Sequence, residues 1–479
     1  MPLTRRELLQ RSAAGVALAT VAGFPEQVAA ASLPSKQVNA LRDAVRGRVL
    51  TPGNRDYDAA RVVFNKRFDA IKPPAVVQVS DAADVLEVVN WAQRYDVPLT
   101  PRSGGNAYNG ASTSRDAVVV DLGGLNHISL AGTTASIEPG ARNIDIYAAL
   151  AAKGVAMPSG SCPNIAIGGL ALGGGMGLAG RRFGLALDRI VALDVVTADG
   201  RKRTVDASHG EDLFWALRGG GGNFALVTKL HMRVERDVRQ ASWFRVSFPA
   251  AAREEALDAW DGFAPTAPHA LTSIFTLTAT EAISDGQYFG DTAALTQLVA
   301  PLARIPGASL AVGTSPYLAL QERWAGCAEG NREACRTVAR ETFDAASIYV
   351  GRRLSAEGRR AFLAAADGGA TLLCDAYGGA INNVSAHATA FVHRKARFSV
   401  QILSYAAPAI ARSRVGNAYG LIAPHGNGEA YQNYPDLRMT GSAKAWYGGN
   451  RERLVDVKTT YDPDNRFRVT QGIRPRSSS

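Results

Sequence analysis

The chain has 479 residues, a formal net charge of +10 and a hydrophobic content of 46%. Because a single hydrophobic core stops growing near ~250–300 residues, this length predicts two or three domains. No apolar run reaches the ~18–20 residues that span a bilayer, which argues against stable membrane anchoring. Lys and Arg are scattered, as on a solvated basic surface, so we expect no nucleic-acid partner.

The first 31 residues have the organisation of an export signal. The pair Arg5 and Arg6 is followed by a mildly apolar run over 13–24 and by small residues at 29–31. This order is typical of a secretory signal, and the paired arginines favour the twin-arginine route. We expect a signal peptide over 1–31 and a periplasmic or extracellular protein whose cofactor is loaded before export. An ordinary N-terminal helix is the alternative.

From about residue 73 to 234, short β-rich runs alternate with helices and glycine turns. The predicted strands are 75–79, 97–100, 117–122 and 190–197, and a turn follows at 198–200. We expect Asp81 to cap a helix that carries Asp84 three residues on. A second helix is predicted over 143–153, ended by Gly154.

From about residue 240 to 440 the glycine clusters become rarer. Alternating strands, such as 243–248 and 273–277, are mixed with helices, such as 251–263. This pattern indicates a separate α+β domain. We therefore place domain boundaries at 36–239 and 240–440, with a C-terminal segment over 441–479.

The four cysteines predict one disulfide and no metal site. In an oxidising compartment Cys327 and Cys335, which enclose a polar loop, are expected to pair. Closing so short a loop stabilises by roughly 2.5 kcal/mol; two thiols are the alternative. Cys374 lies in an apolar run and is expected to be buried. No Cys/His cluster has the spacing of a zinc site.

Three glycine-rich motifs are candidates for a cofactor site. Pro101–Tyr108 follows a strand, and its adjacent glycines suit an anion-binding nest, although the spacing is not that of a Rossmann fingerprint. Gly160–Gly177 has six glycines after Pro163, and Leu217–Phe224 has four in a row. These runs lie among large apolar residues, whereas flexible linkers are polar. We expect a surface where a pyrophosphate or a flat ring lies against backbone.

In this order the motifs resemble the flavin-binding domain shared by vanillyl-alcohol oxidase and p-cresol methylhydroxylase. With the C-terminal string Trp446–Phe467, the chain resembles more narrowly the berberine bridge enzyme-like oxidoreductases. The resemblance runs from about residue 73 to the C-terminus. It implies an α+β protein with a two-part FAD-binding domain of the p-cresol methylhydroxylase type, a substrate-binding domain whose antiparallel sheet covers the isoalloxazine ring, and a C-terminal segment that returns to the FAD domain.

The resemblance implies FAD as cofactor and assigns its binding positions. These are Arg102, Ser103, Gly104, Gly105, Asn106, Tyr108, Cys162, Ile165, Gly168, Gly169, Gly173, Gly174, Gly175, Gly177, Gly222, Asn223, Phe224, Tyr447 and Asn450. Family members often hold the flavin by a histidine and a cysteine. Cys162 occupies the cysteine position, but Asn106 stands at the histidine position, and a carboxamide is not nucleophilic enough for that bond. We expect at most one covalent link, through Cys162, or dissociable FAD with Cys162 merely buried.

Two segments resemble the family's substrate-side motifs. Asp375–Gly379 contains Tyr377, and Tyr431–Asp436 contains Tyr434. Flavin N5 accepts a hydride while a base takes the proton of the attached O–H or N–H. We expect Tyr434 to be that base, assisted by Tyr377 and Asp375, which share a face if they alternate on one strand. Aromatic packing on a sheet is the alternative.

These features predict an exported FAD-dependent oxidoreductase that oxidises an alcohol-type carbon of a carbohydrate or natural product. The expected partners are a small-molecule substrate and oxygen or another electron acceptor. In the resembled family the position of Ile165 flanks the approach of oxygen, and Ala166 stands where the family usually has glycine. Because both side chains add bulk, we expect slow reoxidation by oxygen and electron transfer to another acceptor. A plain oxidase and a non-catalytic flavin-binding protein are the alternatives.

Overall fold

The computed structural model describes residues 32–327, 330–439 and 441–477. The predicted signal peptide lies outside these residues. Within them, no helix is long and apolar enough to cross a membrane. The secondary structure forms three sheet-containing regions and a C-terminal segment, and it confirms the predicted α+β class.

The first region surrounds a four-stranded sheet. Its elements are α1 (Ser35–Ala44), β1 (Arg48–Leu50), α2 (Tyr57–Arg61), β2 (Val76–Gln78), α3 (Ala82–Tyr95), β3 (Leu99–Arg102) and β4 (Val118–Asp121). The strand order is β1-β2-β4-β3, with only β1 antiparallel. Asp81 caps α3 as predicted, accepting hydrogen bonds from two N–H groups of the first turn. Asp84 instead accepts from the backbone of Arg46, Gly47 and Ser80, and so fixes the start of β1 against the helix.

The second region surrounds a five-stranded antiparallel sheet of order β5-β6-β10-β8-β9. Its elements are β5 (Ile128–Ala131), β6 (Thr134–Ile137), α4 (Asn143–Ala151), β7 (Val155–Ala156), α5 (Ile167–Gly173), α6 (Gly180–Phe183), β8 (Ile190–Thr197), β9 (Lys202–Asp206), α7 (Glu211–Leu217), β10 (Ala225–Arg233) and β11 (Glu235–Arg236). β8 has the predicted bounds. α4 ends two residues before the predicted position, and Gly154 follows with a φ of 70°.

The third region surrounds a seven-stranded antiparallel sheet of order β15-β12-β14-β13-β17-β18-β16. Its elements are β12 (Gln240–Pro249), α8 (Arg253–Phe263), β13 (Leu271–Leu277), β14 (Glu281–Tyr288), α9 (Thr292–Ala303), β15 (Ser309–Pro316), α10 (Tyr317–Trp324), α11 (Arg332–Arg336), β16 (Asp344–Val350), α12 (Ala356–Asp367), β17 (Thr371–Ala376), β18 (Phe398–Ser404) and α13 (Pro408–Ile422). One face of the sheet packs against α8, α9, α12 and α13 in a continuous apolar core. The other face is therefore left to meet the glycine-rich segments.

The C-terminal segment returns to the first two regions. After α14 (Ser442–Tyr447) and α15 (Arg451–Tyr461), Phe467 packs into the core of the first sheet and pairs with Leu99. The ammonium of Lys458 is fully buried, lies 2.5 Å from the Asp462 carboxylate and donates to the carbonyl of Asn223. This buried ion pair fixes the C-terminal turn against the third glycine-rich motif.

The cysteines lie as predicted. Cys327 and Cys335 form a disulfide. Cys374 is a buried thiol on β17, packed in the core beneath the sheet.

Candidate active site

A cavity of about 270 Å³ lies where the three glycine-rich motifs, the seven-stranded sheet and the C-terminal segment meet. Its walls also include Gln401 of β18, the segment 431–435, Trp446 and residues 469–472. None of the described residues that line it carries a carboxylate, ammonium, guanidinium or imidazole group. Its polar groups are instead amides, hydroxyls, one thiol and backbone.

The glycines of the wall bring backbone to the cavity surface. A Cβ at Gly168 would lie 2.5 Å from the Ser103 hydroxyl, and one at Gly173 would lie 2.1 Å from the Asn433 amide oxygen. At Gly169 a Cβ would meet no atom within 4 Å, so a side chain there would take up space in the cavity itself. Larger residues at these positions would either clash with the wall or fill the site.

Three buried polar atoms of residues that line the cavity have no hydrogen-bond partner within the described chain. They are the acceptors Oδ1 of Asn106 and Oε1 of Gln432 and the donor Nε1 of Trp446. A buried polar group without a partner costs about 1–3 kcal/mol. The cavity therefore suits a bound group that offers both donors and acceptors and presents a flat face to backbone, and the predicted FAD fits this description.

Most of the predicted cofactor residues come together around this cavity. Those that line it are Ser103, Gly104, Gly105, Asn106, Tyr108, Cys162, Ile165, Gly168, Gly169, Gly173, Gly222, Asn223 and Tyr447. The Cys162 side chain is exposed to the cavity and lies outside the disulfide. The prediction of a merely buried thiol therefore does not describe Cys162.

Three of the remaining predicted residues support the wall from behind. The guanidinium of Arg102 is buried, lies 2.8 Å from the Asp121 carboxylate and donates to the carbonyl of Ala60. Phe224 is fully buried in the apolar core of the second region. The Asn450 amide donates to backbone carbonyls of the 386–390 loop. These side chains lie outside the cavity because they satisfy packing or backbone requirements elsewhere.

The glycines at 174, 175 and 177 also lie outside the cavity lining. A Cβ at Gly174 would lie 2.4 Å from the Tyr431 hydroxyl, and the N–H of Gly175 donates to that hydroxyl at 2.8 Å. A Cβ at Gly177 would lie 1.9 Å from the carbonyl oxygen of Ser159. These glycines permit close packing of the wall rather than contact with a ligand.

Among the predicted catalytic residues, Tyr434 lines the cavity. Its ring stacks on that of Tyr108, with centroids 5.6 Å apart, and meets the edge of Tyr431 at 4.8 Å. Both neighbours also line the cavity. Tyr434 is thus held between two aromatic rings with its segment facing the site.

Tyr377 and Asp375 lie behind the cavity wall, in contrast to the prediction. β17 ends at Ala376, and the fully buried Tyr377 places its hydroxyl 2.9 Å from that of Tyr349. Burial raises the pKa of Tyr377 well above its usual value. Asp375 is buried on β17 and accepts a hydrogen bond from Ser399. Neither side chain lines the cavity, so any effect on it is indirect.

Gln401 and Tyr431 are among the residues of the site that were not assigned a role from the sequence. The Gln401 amide donates to the Tyr108 hydroxyl at 2.5 Å, and Gln401 lines the cavity from β18. The available signal was a polar alternation, Ser399 and Gln401, inside an otherwise apolar strand. Tyr431, within the quoted tyrosine segment, accepts hydrogen bonds from Gly175 and from the Asn433 amide, and burial raises its pKa to about 12.

No cluster of three or more His, Cys, Asp or Glu side chains that could hold a metal ion occurs in 32–327, 330–439 or 441–477. The site is thus built from aromatic, amide and backbone groups.

Two family descriptions match the chain. Residues 73–206 match the FAD binding domain family, and residues 430–474 match the family described as berberine and berberine like. The first match covers two of the glycine-rich motifs, and the second covers the tyrosine segment and the C-terminal turn.

Relatives match along nearly the whole chain. The FAD-linked oxidoreductase YgaK of Bacillus subtilis, itself uncharacterised, is 31% identical over 450 residues, covering 90% of this chain and 97% of its own. A chitooligosaccharide oxidase of Gibberella zeae is 26% identical over 477 residues, covering 93% and 96%. The solved structure of Physcomitrella patens BBE-like 1 matches with a TM-score of 0.87 and 28% identity, over 92% of this chain and 100% of that one.

Proposed function

The chain belongs to the berberine bridge enzyme-like FAD-linked oxidoreductases, and from that membership we propose that it oxidises an alcohol-type carbon of an uncharged, hydroxylated small molecule. A carbohydrate is the substrate class that we favour, and a neutral natural product is the wider class. We further propose that Tyr434 is the general base.

The absence of ionised side chains from the cavity lining carries this proposal. Backbone N–H groups of the glycine-rich motifs would hold the pyrophosphate of FAD, but the described lining outside these motifs has no ionised side chain to pair with a charged substrate, and a charge buried without a counter-charge is strongly unfavourable. The lining instead offers the amides of Asn109, Gln401, Gln432 and Gln471, which donate and accept hydrogen bonds as sugar hydroxyls do. One relative at 26% identity is a chitooligosaccharide oxidase, which supports the same class.

Some residues of the chain would hold the cofactor, and others would bind and transfer the substrate proton. FAD, when bound, supplies the acceptor for the hydride. Backbone of the glycine-rich motifs, Asn106 and Cys162 would hold it, because they line the same cavity. The Tyr434 side chain would take the substrate proton as a phenolate, after giving its own proton to water, while Tyr108, fixed by the Gln401 amide, keeps the Tyr434 ring in place.

A dehydrogenase-like reaction with an acceptor other than oxygen is the second candidate. Ile165 and Ala166 both line the cavity, next to Cys162 in the chain. Their side chains narrow the cavity beside the glycines at 168 and 169. The positions of these two side chains support slow access of oxygen to the cavity.

We also propose export by the twin-arginine route. The Arg5 and Arg6 pair supports it, as does the disulfide between Cys327 and Cys335, since disulfides persist in oxidising compartments. N-terminal sequencing of protein recovered from outside the cytoplasm tests this proposal. Replacing both arginines with lysine should retain the protein in the cytoplasm, and unchanged export would contradict it.

Anaerobic reduction of the flavin tests the proposed reaction. Full-length enzyme is mixed without oxygen with neutral oligosaccharides and aromatic alcohols, and with matched sugars that carry a carboxylate or an ammonium group. We expect neutral compounds to bleach the flavin absorbance and charged analogues to do so at least ~10-fold more slowly, because burying one uncompensated charge costs more than 1.4 kcal/mol. Bleaching by charged compounds alone would contradict the proposal.

A further inference from the structure

We infer that Asn143 is a positioning residue that presents the Cys162 thiol to the cofactor cavity. Asn143 is the first residue of α4, it is fully buried, and it does not itself line the cavity. The inference rests on the proposed function, in which Cys162 contacts FAD. It concerns how the loop that carries this thiol is held.

Both the amide nitrogen and the amide oxygen of the Asn143 side chain hydrogen-bond to the loop that carries Cys162. Its amide nitrogen donates to the carbonyl oxygens of Gly160, at 3.2 Å, and Cys162, at 3.0 Å. Its amide oxygen accepts a hydrogen bond from the Ser159 hydroxyl at 2.7 Å. Its backbone N–H donates to the carbonyl of Ile165. One buried residue thus contacts both flanks of Cys162 and the carbonyl of Cys162 itself.

The rest of α4 reinforces the same loop. The N–H of Ile144 donates to the carbonyl of Pro163, and the Tyr147 hydroxyl donates to that of Gly160 at 3.0 Å. On the outer side, the Arg336 guanidinium holds the Asp145 carboxylate at 2.5 and 2.8 Å, one residue after the disulfide. The helix therefore lies fixed between the disulfide segment and the Cys162 loop.

The hydrogen-bond pattern assigns the loop's position to Asn143 more than to Tyr147. The Tyr147 hydroxyl donates to the carbonyl of Gly160, whereas the Asn143 amide donates to the carbonyls of both Gly160 and Cys162. An isosteric aspartate at 143 would keep the acceptor for Ser159 but replace two N–H donors with an oxygen that faces two carbonyls. The hydrogen bond to the Cys162 carbonyl would then be lost, with little change in the volume of the side chain at position 143.

Two measurements on full-length protein test the role of Asn143. The first is the rate at which protein produced without flavin forms an acid-stable flavin peptide when incubated with FAD. We expect Asn143→Asp to slow this rate roughly 10²-fold, since a displacement of about 1 Å at a reacting atom has that effect. The second is alkylation of Cys162 by iodoacetamide, read by mass spectrometry. The alkylation rate should rise about fivefold, because a loop released from α4 carries the thiol out of the cavity into open solvent more often.

The chain provides matched controls for both measurements. Tyr147→Phe removes one hydrogen bond from the same helix and should change either rate by no more than about twofold. The buried Cys374 thiol is the internal reference for alkylation.

Each of the other possible outcomes decides whether Asn143 positions the loop that carries Cys162. A folded Asn143→Asp protein with wild-type alkylation of Cys162 would overturn the inference. If the wild type forms no acid-stable flavin, covalent attachment through Cys162 is wrong, and the alkylation comparison still decides the role of Asn143. Should Asn143→Asp not accumulate, Asn143→Ser replaces it, because serine is uncharged and smaller. If neither accumulates while Tyr147→Phe does, Asn143 serves folding in general and the inference fails.

Discussion

The rings of Tyr108 and Tyr434 stack nearly parallel, with centroids 5.6 Å apart and planes 12° apart. Tyr108 is the last residue of the first glycine-rich motif, and Tyr434 belongs to the tyrosine segment close to the C-terminus. The contact joins the loop proposed to hold the cofactor to the proposed base. Since Gln401 fixes the Tyr108 hydroxyl, the sheet of the third region also takes part in placing Tyr434.

The arrangement predicts a specific effect of Tyr434→Phe. The substitution keeps the ring that stacks on Tyr108 and removes the hydroxyl, so folding and flavin content should be unchanged. The rate of flavin reduction by substrate should fall by roughly 10²–10⁴, the usual contribution of a general base. Anaerobic stopped-flow absorbance measures this rate.

Tyr377→Phe is the matched control for that experiment. This substitution removes the hydroxyl of a fully buried tyrosine that lies behind the cavity wall and is hydrogen-bonded to Tyr349. We expect the reduction rate to change by less than about threefold, as for loss of one neutral hydrogen bond. A larger effect at Tyr377 than at Tyr434 would exchange the roles assigned to the two residues.

The glycine-rich motifs and the strand at 190–197 could be predicted from the sequence because their signals are local. A glycine such as Gly105, at a φ of 70°, has a backbone conformation that other residues adopt rarely. β8 is a β-branched run with a turn directly after it, so its bounds follow from the residues themselves. The disulfide was predictable for the same reason, since Cys327 and Cys335 are close in the chain.

The contribution of each motif residue to the cavity was less predictable, because it depends on contacts between distant segments. Gly174 and Gly175 belong to the same run as Gly173, yet they face the Tyr431 side chain, which comes from the other end of the chain. Gln401 belongs to no sequence motif, and only its position on β18 brings it to the cavity. Tyr377 lies one residue beyond the end of β17 and hydrogen-bonds to Tyr349 instead of lining the cavity, and the ends of elements are poorly defined by sequence patterns.

Attachment of the flavin is predicted to depend on Cys162 and to be limited by Asn106. Cys162→Ala should release all FAD on acid precipitation, because the described cavity wall has no other thiol. Asn106→His should add a second link, since Asn106 lines the same cavity. Mass spectrometry of flavin peptides distinguishes the two sites. A flavin found on a peptide lacking both positions would contradict the assignment.

The pair formed by the buried His393 and the half-buried Glu429 predicts acid sensitivity. The His393 Nδ1 lies 2.9 Å from the Glu429 carboxylate. Burial lowers the pKa of His393, although Glu429 acts in the opposite direction. Burial alone would raise the pKa of Glu429, but the hydrogen bond and charge of His393 together with the hydrogen bond from Asn427 lower it. In the unfolded chain His393 binds a proton near pH ~6.5 that the folded chain does not bind, so stability should fall as the pH drops below ~6.5.

His393→Gln isolates this effect. The wild-type free energy of unfolding should lose up to about 1.4 kcal/mol per pH unit for this one proton as the pH falls from 6.5 towards 5. The variant should be less stable at pH 7.5 but show a shallower decline in melting temperature. Glu429 adds little in this window, because its stabilisation begins to be lost only as the pH falls towards ~4.3, the ordinary pKa of a glutamate in the unfolded chain. Equal slopes in the two proteins would contradict the role of His393.

Access of oxygen to the flavin is predicted to depend on Ile165. Its side chain lines the cavity three residues after Cys162, next to Ala166. In a close-packed wall one methylene is enough to displace a small molecule or strain its neighbours. Photoreduced native enzyme should therefore reoxidise slowly in air-saturated buffer, and Ile165→Val should reoxidise at least ~10-fold faster, a barrier change of about 1.4 kcal/mol.

Ile165→Leu is the control. Leucine keeps the volume of the side chain at this position, so reoxidation of the flavin should stay slow. Because the reoxidation step involves no substrate, stopped-flow absorbance separates this prediction from the choice of substrate. Fast native reoxidation that valine leaves unchanged would contradict the role of Ile165 and favour a plain oxidase.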